Sequence, residues 1–166
     1  NLPDEVTADC KFLDIASKTG EFANALLQRY GENVKNNIYS IPTSKITYEC
    51  TRKIYKLLGM PIENIFSNFT SYDLIDKTKN EELLKELKDM NFGTVIGNPP
   101  YQVMDGGAQA SAKPIYNDFV DASEYVESKY ITIIMPSRWY AGGKGLDEFR
   151  DKMLNDKHIS DLHDFL

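Results

Sequence analysis

Short apolar segments alternate with longer amphipathic segments along this chain of 166 residues, and no other feature of the sequence restricts its fold as strongly. Apolar runs bounded by turn residues predict strands, whereas apolar residues spaced three and four apart predict helices. Strands joined by helices run parallel, because the connecting helix packs back across a face of the sheet. The sequence therefore predicts an α/β fold with a doubly wound, mostly parallel sheet.

The predicted elements cover almost the whole chain, without an internal repeat or a long linker. The predicted strands are 11–16, 37–41, 62–66, 93–97 and 130–135, with a further short strand within 158–165. The predicted helices are 20–30, 44–59, 80–89, 114–127 and 145–155. Since 42% of the residues are hydrophobic, the chain can bury one core, which predicts a single domain over 1–166.

The tetrapeptide Asn98-Pro99-Pro100-Tyr101 follows the predicted strand 93–97. At average residue frequencies it would occur by chance in roughly one of two thousand chains of this length. The side-chain carbonyl of Asn98 and the backbone carbonyl of Pro99 can each accept one N–H of an exocyclic amine, which frees the lone pair of the amine for attack. Two prolines fix the backbone, and Tyr101 offers a flat face to a planar substrate. We predict that these four residues are catalytic; the alternative is a strand that simply ends in a turn.

The tetrapeptide, placed after a strand, resembles the catalytic motif of amino-group methyltransferases that use S-adenosyl-L-methionine, above all the DNA adenine-N6 enzymes. The segment Lys11–Phe22 resembles the cofactor loop of that family, Leu-Asp-Pro-Ala-Cys-Gly-Ser-Gly-x-Phe. The positions that match the pattern are Asp14, Ala16, Gly20 and Phe22, and those that depart from it are Ile15, Ser17, Lys18 and Thr19. The resemblance implies a Rossmann-like methyltransferase fold with a loop that lets the cofactor approach the backbone.

The resemblance also implies which residues bind the cofactor, namely Asp14, Ala16, Ser17, Thr19, Gly20, Phe22, Thr43, Asp73 and Asn98. The predicted strand 37–41 ends in hydroxyls and not in the acid that usually holds the ribose, so Thr43 is expected to contact the ribose or only to cap the next helix. Asp73 lies about where the family contacts the adenine ring of the cofactor; the alternative is a solvated loop acid. Lys18 stands where the family more often has glycine, which implies a strained backbone, a reshaped loop or a side chain in solvent.

The segment Tyr130–Trp139 resembles the fifth strand of the family with its Met-Pro-Ser-x-Trp end, and the glycine-rich, basic loop Ala141–Gly145 follows. Glycine, cationic and aromatic residues together suit contact with a phosphate backbone or a flipped base. We therefore expect substrate binding by Tyr101, Arg138, Trp139 and Lys144. The alternative is a loop without this role, with Trp139 buried beneath it. The small residues of Asp105–Lys113 predict a loop that closes over the substrate, or disorder without function.

The net charge of −6 argues against this piece binding DNA alone, because affinity for nucleic acid comes mainly from Lys and Arg on phosphates. The resemblance implies that a target-recognition domain, a segment before the cofactor loop and the hairpin that finishes the sheet all lie outside the chain. The chain is identified as the catalytic core of a long type II restriction-modification methylase of the Eco57I type. Double-stranded DNA is then bound through those other regions.

The resemblance thus implies a site-specific methyltransferase that acts on adenine N6 of DNA within a restriction-modification system. One alternative is methylation of RNA or of a protein glutamine amide, and another is a non-catalytic DNA-positioning subunit with a degenerate cofactor site. No apolar run reaches membrane-spanning length and no signal peptide is visible, which predicts a cytoplasmic protein without membrane contact. Cys10 and Cys50 predict reduced, buried thiols, and His158 and His163 are expected at the surface and not on a metal.

Overall fold

The computed structural model of the chain describes residues 2–103 and 112–165. These residues form two compact units, one of residues 2–99 and 118–134 and the other of residues 100–117 and 135–165. The first unit contains the main sheet, and the second contains a short hairpin, a 3₁₀ turn and the last helix. Most of the predicted loop Asp105–Lys113 lies outside the described residues.

Strands and helices alternate along the chain, which confirms the predicted α/β class. The strands are β1 (Phe12–Ser17), β2 (Ile38–Pro42), β3 (Thr94–Gly97), β4 (Gln102–Val103), β5 (Lys113–Pro114) and β6 (Tyr130–Ile133). The α-helices are α1 (Glu21–Tyr30), α2 (Lys45–Leu57), α3 (Asn80–Asp89), α4 (Tyr116–Tyr125) and α5 (Asp147–Asn155). Shorter 3₁₀ segments span Gly31–Asn37, Ile62–Asn64, Ser71–Leu74 and Ser137–Ala141.

Four parallel strands form the sheet of the first unit in the order β2-β1-β3-β6. All six residues of the interior strand β1 are buried. Because successive residues of a strand point to opposite faces, this burial means that both faces of the sheet are covered at β1. A doubly covered strand needs no polar face, which is why Phe12–Ser17 lacks the alternation of apolar and polar residues that a half-exposed strand shows.

Helix α2 begins where the sequence places a pair of hydroxyls. The Ser44 hydroxyl accepts a hydrogen bond from the backbone N–H of Thr47 at 3.2 Å, and the Thr47 hydroxyl accepts one from the backbone N–H of Ser44 at 2.8 Å. This reciprocal capping box satisfies two of the backbone donors that a helix start leaves free. Ser44 is therefore the residue that caps the helix.

The strand predicted at 62–66 is wrong. A 3₁₀ turn spans Ile62–Asn64, and only Ile65 bridges to Ser40 in the parallel sense. The side-chain amide of Asn64 donates to the backbone carbonyls of Asn36 at 3.1 Å and Ile38 at 3.2 Å. The Ile38 carbonyl belongs to β2 and the Asn36 carbonyl lies just before it, so a side chain performs pairing that a longer strand would perform with its backbone.

The short strand predicted within 158–165 is also wrong, since no strand forms there in the described part of the chain. An alternating strand needs one buried face, but residues 157–165 are all exposed. The antiparallel hairpin of β4 and β5 is a feature that the sequence did not predict. Each of its strands is two residues long, which is too short to leave a periodic pattern.

The second unit packs around three aromatic rings. The ring of Phe149 stands edge-on to Tyr116, with centroids 6.1 Å apart, and edge-on to Trp139 at the same separation. All three side chains and the neighbouring Leu146 are buried. Edge-to-face packing of this kind stabilises a small core beyond its buried area, and it fixes the orientation of the Tyr116 ring.

Both cysteines are free thiols, in agreement with the sequence, but each is only partly buried, so the predicted burial is wrong. Cys10 precedes β1, with its Sγ 3.3 Å from the Thr94 hydroxyl, and Cys50 is not one of the buried residues of α2.

None of the helices in the described part of the chain combines the length and apolarity that crossing a bilayer demands.

Gly97 should be intolerant of a side chain, because a Cβ atom there would lie 2.7 Å from Ile15 Cγ1 on the neighbouring strand. We expect Gly97→Ala to lower the free energy of unfolding by about 1–3 kcal/mol, the usual effect of overpacking a core. Urea denaturation of the variant measures this loss.

The matched control is the double variant Ile15→Ala with Gly97→Ala. Since Ile15→Ala removes the atoms that the new methyl group meets, adding Gly97→Ala to it should lower stability much less than in the parent chain. Equal losses in both backgrounds would contradict the close approach of the two strands.

Candidate active site

The carboxyl ends of β1 and β3 lie side by side in the first unit. Asp14 of β1 pairs in register with Ile96 of β3, so the segments that follow these two residues leave the sheet at the same edge. Open parallel sheets bind ligands at this edge. The predicted cofactor loop and Asn98 are therefore neighbours, although they are far apart in the sequence.

Asp14 is a buried carboxyl group with one unused oxygen. Its side chain is 1% exposed, Oδ1 accepts the backbone N–H of Ala16 at 3.2 Å, and Oδ2 has no hydrogen-bond partner in the described part of the chain. Burial raises the pKa of Asp14 to about 7, against the opposing effects of the Ala16 N–H and the Ser17 hydroxyl. Asp14 lies within β1 and not at its end, because pairing with β2 resumes at Ser17 after an irregularity.

The turn after β1 requires glycine at one position. Gly20 has φ +75° and precedes α1, and a Cβ atom there would lie 3.2 Å from Ile54 Cγ2 on α2. Lys18 is exposed and does not have a positive φ, so the strain that glycine would relieve is not present at Lys18. The sequence left three outcomes open for Lys18, and the observed one is a side chain in solvent.

The other predicted residues of the cofactor loop take part in local contacts. Thr19 donates to the Glu21 carboxylate through its hydroxyl and, at 3.1 Å, through its backbone N–H. Phe22 is half-buried against the core of the first unit, and Ser17 is buried. The backbone of Ser17 accepts the N–H of Thr43 at 3.2 Å, which joins the loop to the end of β2.

The Thr43 hydroxyl lies 3.2 Å from the Thr47 hydroxyl, within the group that caps α2. This contact favours the capping role that the sequence left open, and a ribose contact by Thr43 stays a prediction. Asp73 has a structural contact as well, because its Oδ2 accepts the backbone N–H of Thr70 at 2.7 Å and the Thr70 hydroxyl at 3.0 Å. Contact between Asp73 and an adenine ring therefore depends on its other oxygen.

Ser71, next to these residues, is a candidate that the sequence did not reveal. Its side chain is fully buried, and its hydroxyl has no hydrogen-bond partner within residues 2–103 and 112–165. A buried hydroxyl without a partner is uncommon in a folded protein and marks a position that a ligand can satisfy. Nothing local to Thr70-Ser71-Tyr72 distinguishes it from an ordinary turn, because burial comes from the tertiary structure.

Asn98 presents a similar unused acceptor at the end of β3. Its Oδ1 is buried and has no hydrogen-bond partner among the described residues, and the following residue, Pro99, is buried. A buried carbonyl oxygen without a partner destabilises the folded chain by about 1–3 kcal/mol, so a ligand N–H that reaches it is favoured. The geometry is suited to accepting a hydrogen bond from an amine.

The second unit has a pocket of about 390 Å³ on its own surface, a size usual for small-ligand sites. It is lined by Tyr101, Gln102, Pro114, Tyr116, Pro136 and Arg138. Two predicted substrate residues, Tyr101 and Arg138, thus meet at one pocket. The Tyr101 ring is 40% exposed, and Arg138 has no ion-pair partner among the described residues.

Tyr116 also lines the pocket. The sequence did not predict a site role for it, because in the sequence it looks like the first residue of an amphipathic helix. Burial raises the pKa of its phenol, and the positive charge of Arg138 opposes that rise. Trp139 is outside the pocket lining and 4% exposed, with its ring 4.3 Å from that of Tyr140. This burial favours the alternative in which Trp139 is buried beneath the loop. Contact between Trp139 and a flipped base stays a prediction. Lys144 is exposed, with φ +50°.

His158 is paired locally, with its Nδ1 2.8 Å from Asp156 Oδ1. Both His158 and His163 are exposed. Over residues 2–103 and 112–165, no group of three or more His, Cys, Asp or Glu side chains is arranged to hold a metal ion.

Comparison with known proteins adds three findings. The family model described as Eco57I restriction-modification methylase matches residues 36–166. A curated relative from Mycoplasma pneumoniae (strain ATCC 29342 / M129 / Subtype 1), named an uncharacterized adenine-specific methylase, is 35% identical over 79 residues, which make up 46% of this chain and 19% of the relative. The chain thus spans about a fifth of the length of that relative.

The third finding is structural. The crystal structure of the type I restriction-modification system methyltransferase subunit from Streptococcus thermophilus matches with a TM-score of 0.55 and 21% identity, over 87% of this chain and 33% of that one. This likeness shows the shared fold, which is the predicted Rossmann-like one. The family match begins after α1, so the cofactor loop is interpreted from its own residues.

The raised pKa of Asp14 predicts a specific pH dependence of stability. Between pH 4 and pH 7 the folded chain holds a proton on Asp14 that the unfolded chain releases, so the free energy of unfolding should fall as pH rises through this window. Asp14→Asn removes this term. The variant should therefore gain stability relative to the parent as pH rises, by at most about 4 kcal/mol at pH 7.5, given roughly 1.4 kcal/mol per pKa unit.

Urea denaturation at a series of pH values measures this difference. The exposed residue Asp9 supplies a matched control, because Asp9→Asn should leave the slope between pH 4 and pH 7 unchanged. A parent chain whose stability rises over that window would contradict a buried, protonated Asp14.

Proposed function

The chain belongs to the Eco57I restriction-modification methylase family, and on that premise we propose that it transfers a methyl group from S-adenosyl-L-methionine to the N6 amine of adenine in DNA. The observation that carries the proposal is the buried, unpartnered Oδ1 of Asn98, next to the cofactor loop at the carboxyl edge of the sheet. An adenine amine supplies the N–H that this oxygen lacks.

Asn98 and Pro99 hold the amine through two carbonyl oxygens. The side-chain carbonyl of Asn98 accepts one N–H and the backbone carbonyl of Pro99 accepts the other, which draws the nitrogen lone pair out of conjugation with the ring. Pro99 and Pro100 keep this backbone in place before the substrate arrives. Transfer would break the sulfur–methyl bond of the cofactor, with S-adenosyl-L-homocysteine as the leaving group, and the methylated, positively charged N6 would then lose its proton to solvent, so no separate general base is required.

The residues around the cofactor loop fit S-adenosyl-L-methionine, which supplies an electrophilic methyl group. Gly20 gives the turn its positive φ, and the free Oδ2 of Asp14 can accept a hydrogen bond from the ammonium group of the methionine moiety. The unpartnered Ser71 hydroxyl, in the 3₁₀ segment Ser71–Leu74, offers a further polar contact. Three unsatisfied or glycine-dependent positions in one unit support a polar ligand there.

The pocket of the second unit supports a nucleotide as the substrate. Tyr101 offers a ring for stacking, and Arg138 offers a cation without a competing carboxylate among the described residues. A glutamine side chain has neither a ring nor a phosphate to use these groups. We therefore favour DNA over a protein amide as the substrate. Because the chain carries a net charge of −6, we propose that regions beyond these residues make the wider DNA contacts.

Asn98→Ala should reduce turnover by about a hundred-fold or more while leaving the affinity for S-adenosyl-L-methionine within a few-fold, because the lost contact is made to the amine and not to the cofactor. Calorimetry measures cofactor affinity, and transfer of a labelled methyl group to an adenine-containing duplex measures turnover.

The control for this experiment is Asn24→Ala, on the exposed side of α1, which should change neither quantity. Equal losses of turnover and cofactor affinity in Asn98→Ala would indicate that Asn98 only shapes the turn. A parent chain that binds no S-adenosyl-L-methionine would instead support the non-catalytic alternative.

Arg138→Gln should weaken binding of the DNA substrate and make that binding less dependent on salt concentration, because a contact to one phosphate is lost. We expect the logarithm of KM for an oligonucleotide to depend less steeply on the logarithm of salt concentration, by about one unit of slope. Arg52→Gln is the matched control, since the guanidinium of Arg52 is paired with Glu49 at 2.6 Å. An unchanged slope in Arg138→Gln would contradict a phosphate contact.

A further inference from the structure

The hydroxyl group of Tyr116 is a polar group that the second unit buries without a hydrogen bond. Tyr116 is 2% exposed, and its oxygen has no hydrogen-bond partner among the described residues. The backbone N–H of Trp139 also acts on this phenol, but an N–H is a donor and cannot accept the phenol proton. Burial raises the pKa of the phenol, so the proton is present at neutral pH. Tyr116 therefore holds a proton for which the described residues supply no acceptor.

The Tyr116 ring is held in one orientation. Phe149 stands edge-on to it, and the same Phe149 ring stands edge-on to Trp139. The residue before Tyr116, Ile115, donates its backbone N–H to the carbonyl of Tyr101 at 3.1 Å. Because the aromatic core and the hairpin both fix this ring, it has little freedom to swing towards a partner elsewhere.

The pocket of about 390 Å³ that Tyr116 lines offers hydrogen-bond donors beside apolar surfaces. Arg138 supplies the positive charge of the lining, and none of the six lining residues is acidic. This differs from the chain as a whole, which carries a net charge of −6. The rings of Tyr101, Pro114 and Pro136 supply apolar surface to the lining. The lining thus suits a ligand that carries an anionic group together with a flat ring.

A donor without a partner beside a cation favours an anionic acceptor. Hydrogen bonds to an ionised acceptor are roughly twice as strong as those between neutral groups. A phosphate group has enough oxygens to accept from the Arg138 guanidinium and from the Tyr116 hydroxyl at once. A base nitrogen or a sugar hydroxyl would also accept the phenol proton, but it would leave the charge of Arg138 without an anion in the pocket.

We propose that Tyr116 is a substrate-binding residue: its hydroxyl donates a hydrogen bond to a phosphate oxygen of the nucleotide in this pocket, on the same phosphate group that Arg138 binds. The choice of a nucleotide and the Arg138 contact rest on the proposed function. The unpartnered hydroxyl and the chemistry of the pocket lining do not depend on it.

The test uses Tyr116→Phe, which keeps the ring and removes the proton. NMR titration of the full chain with deoxyadenosine 5′-monophosphate should show roughly ten-fold weaker binding in the variant, the size expected for loss of a hydrogen bond to a charged group. Affinity for deoxyadenosine, which has no phosphate, should change by less than about two-fold, because no hydrogen bond to it is lost. Tyr140→Phe is the matched control and should change neither affinity, since Tyr140 is exposed and outside the pocket lining.

Three results of these titrations would overturn the proposal. Equal losses of affinity for the monophosphate and for deoxyadenosine would assign the hydroxyl to the base or the sugar. Inorganic phosphate that binds the parent chain as tightly as the monophosphate would indicate an anion site that does not take a nucleotide. An unchanged affinity for the monophosphate in Tyr116→Phe would mean that the hydroxyl does not contact the phosphate.

Urea denaturation without ligand separates a ligand contact from a structural role. Tyr116→Phe should unfold at the same urea concentration as the parent or at a higher one, because the variant no longer buries a donor without an acceptor. A lower urea midpoint together with an unchanged affinity for the monophosphate would indicate a hydroxyl that the fold itself uses.

A change in the ligand keeps the test decisive if Tyr116→Phe lowers stability. The dimethyl ester of deoxyadenosine 5′-monophosphate is neutral, so it should bind the parent chain more weakly than the monophosphate does. The loss on esterification should be smaller in Tyr116→Phe, because one of the contacts to the phosphate is already missing. Equal losses in the two chains would contradict a hydrogen bond between Tyr116 and the phosphate.

Failure of the proposed function would give a different result. A chain that transfers no methyl group to DNA, but binds the monophosphate with the expected dependence on Tyr116, refutes the proposed function and leaves the phosphate contact standing. Normal methyl transfer by the parent chain, with equal monophosphate affinity in the parent and in Tyr116→Phe, refutes the role of Tyr116 alone.

Discussion

The parallel pairing of β1 with β3 is the interaction on which the rest of the structure depends. It sets Asp14 opposite Ile96 and thereby decides which loops share an edge of the sheet. β1 is buried along its whole length, so the carboxyl group of Asp14 within the strand is withdrawn from solvent. The close approach of the two strands in turn depends on the missing side chain at Gly97, which leaves room for Ile15.

The candidate site concentrates features that an ordinary core avoids. Buried oxygens without partners occur at Asp14, Ser71 and Asn98, and Gly20 adopts a backbone conformation that other residues rarely accept. Elsewhere in the first unit the amide of Asn64 and the phenol of Tyr55 are paired, whereas the buried hydroxyl of Tyr30 has no partner among the described residues. Proteins commonly accept such local disadvantages at functional sites and satisfy polar groups everywhere else. The grouping of Asp14, Ser71, Asn98 and Gly20 in one unit therefore supports a ligand site more strongly than any one of these atoms does.

The sequence correctly predicted the features that depend on residues close together in the chain. Periodic apolar residues located α3 at Asn80–Asp89, and the turn chemistry identified Gly20 and the hydroxyls before α2. Prediction failed where a distant part of the chain decides the outcome. At 62–66 an apolar run suggested a strand, but the Asn64 side chain took the hydrogen bonds of β2. The Ser71 hydroxyl is buried by tertiary packing, and Tyr116 and Arg138 meet in a pocket although they come from separate segments.

The Asn64 amide also changes what the exposed side of β2 can do. β2 is one of the two edge strands of the sheet, and a bare edge offers a row of carbonyls that a strand from another molecule can pair with. The carbonyls of Asn36 and Ile38 are occupied by Asn64, and that of Ser40 by the N–H of Phe66 at 3.0 Å. A side-chain amide and a single bridge thus protect this edge against self-association, without adding a further strand to the sheet.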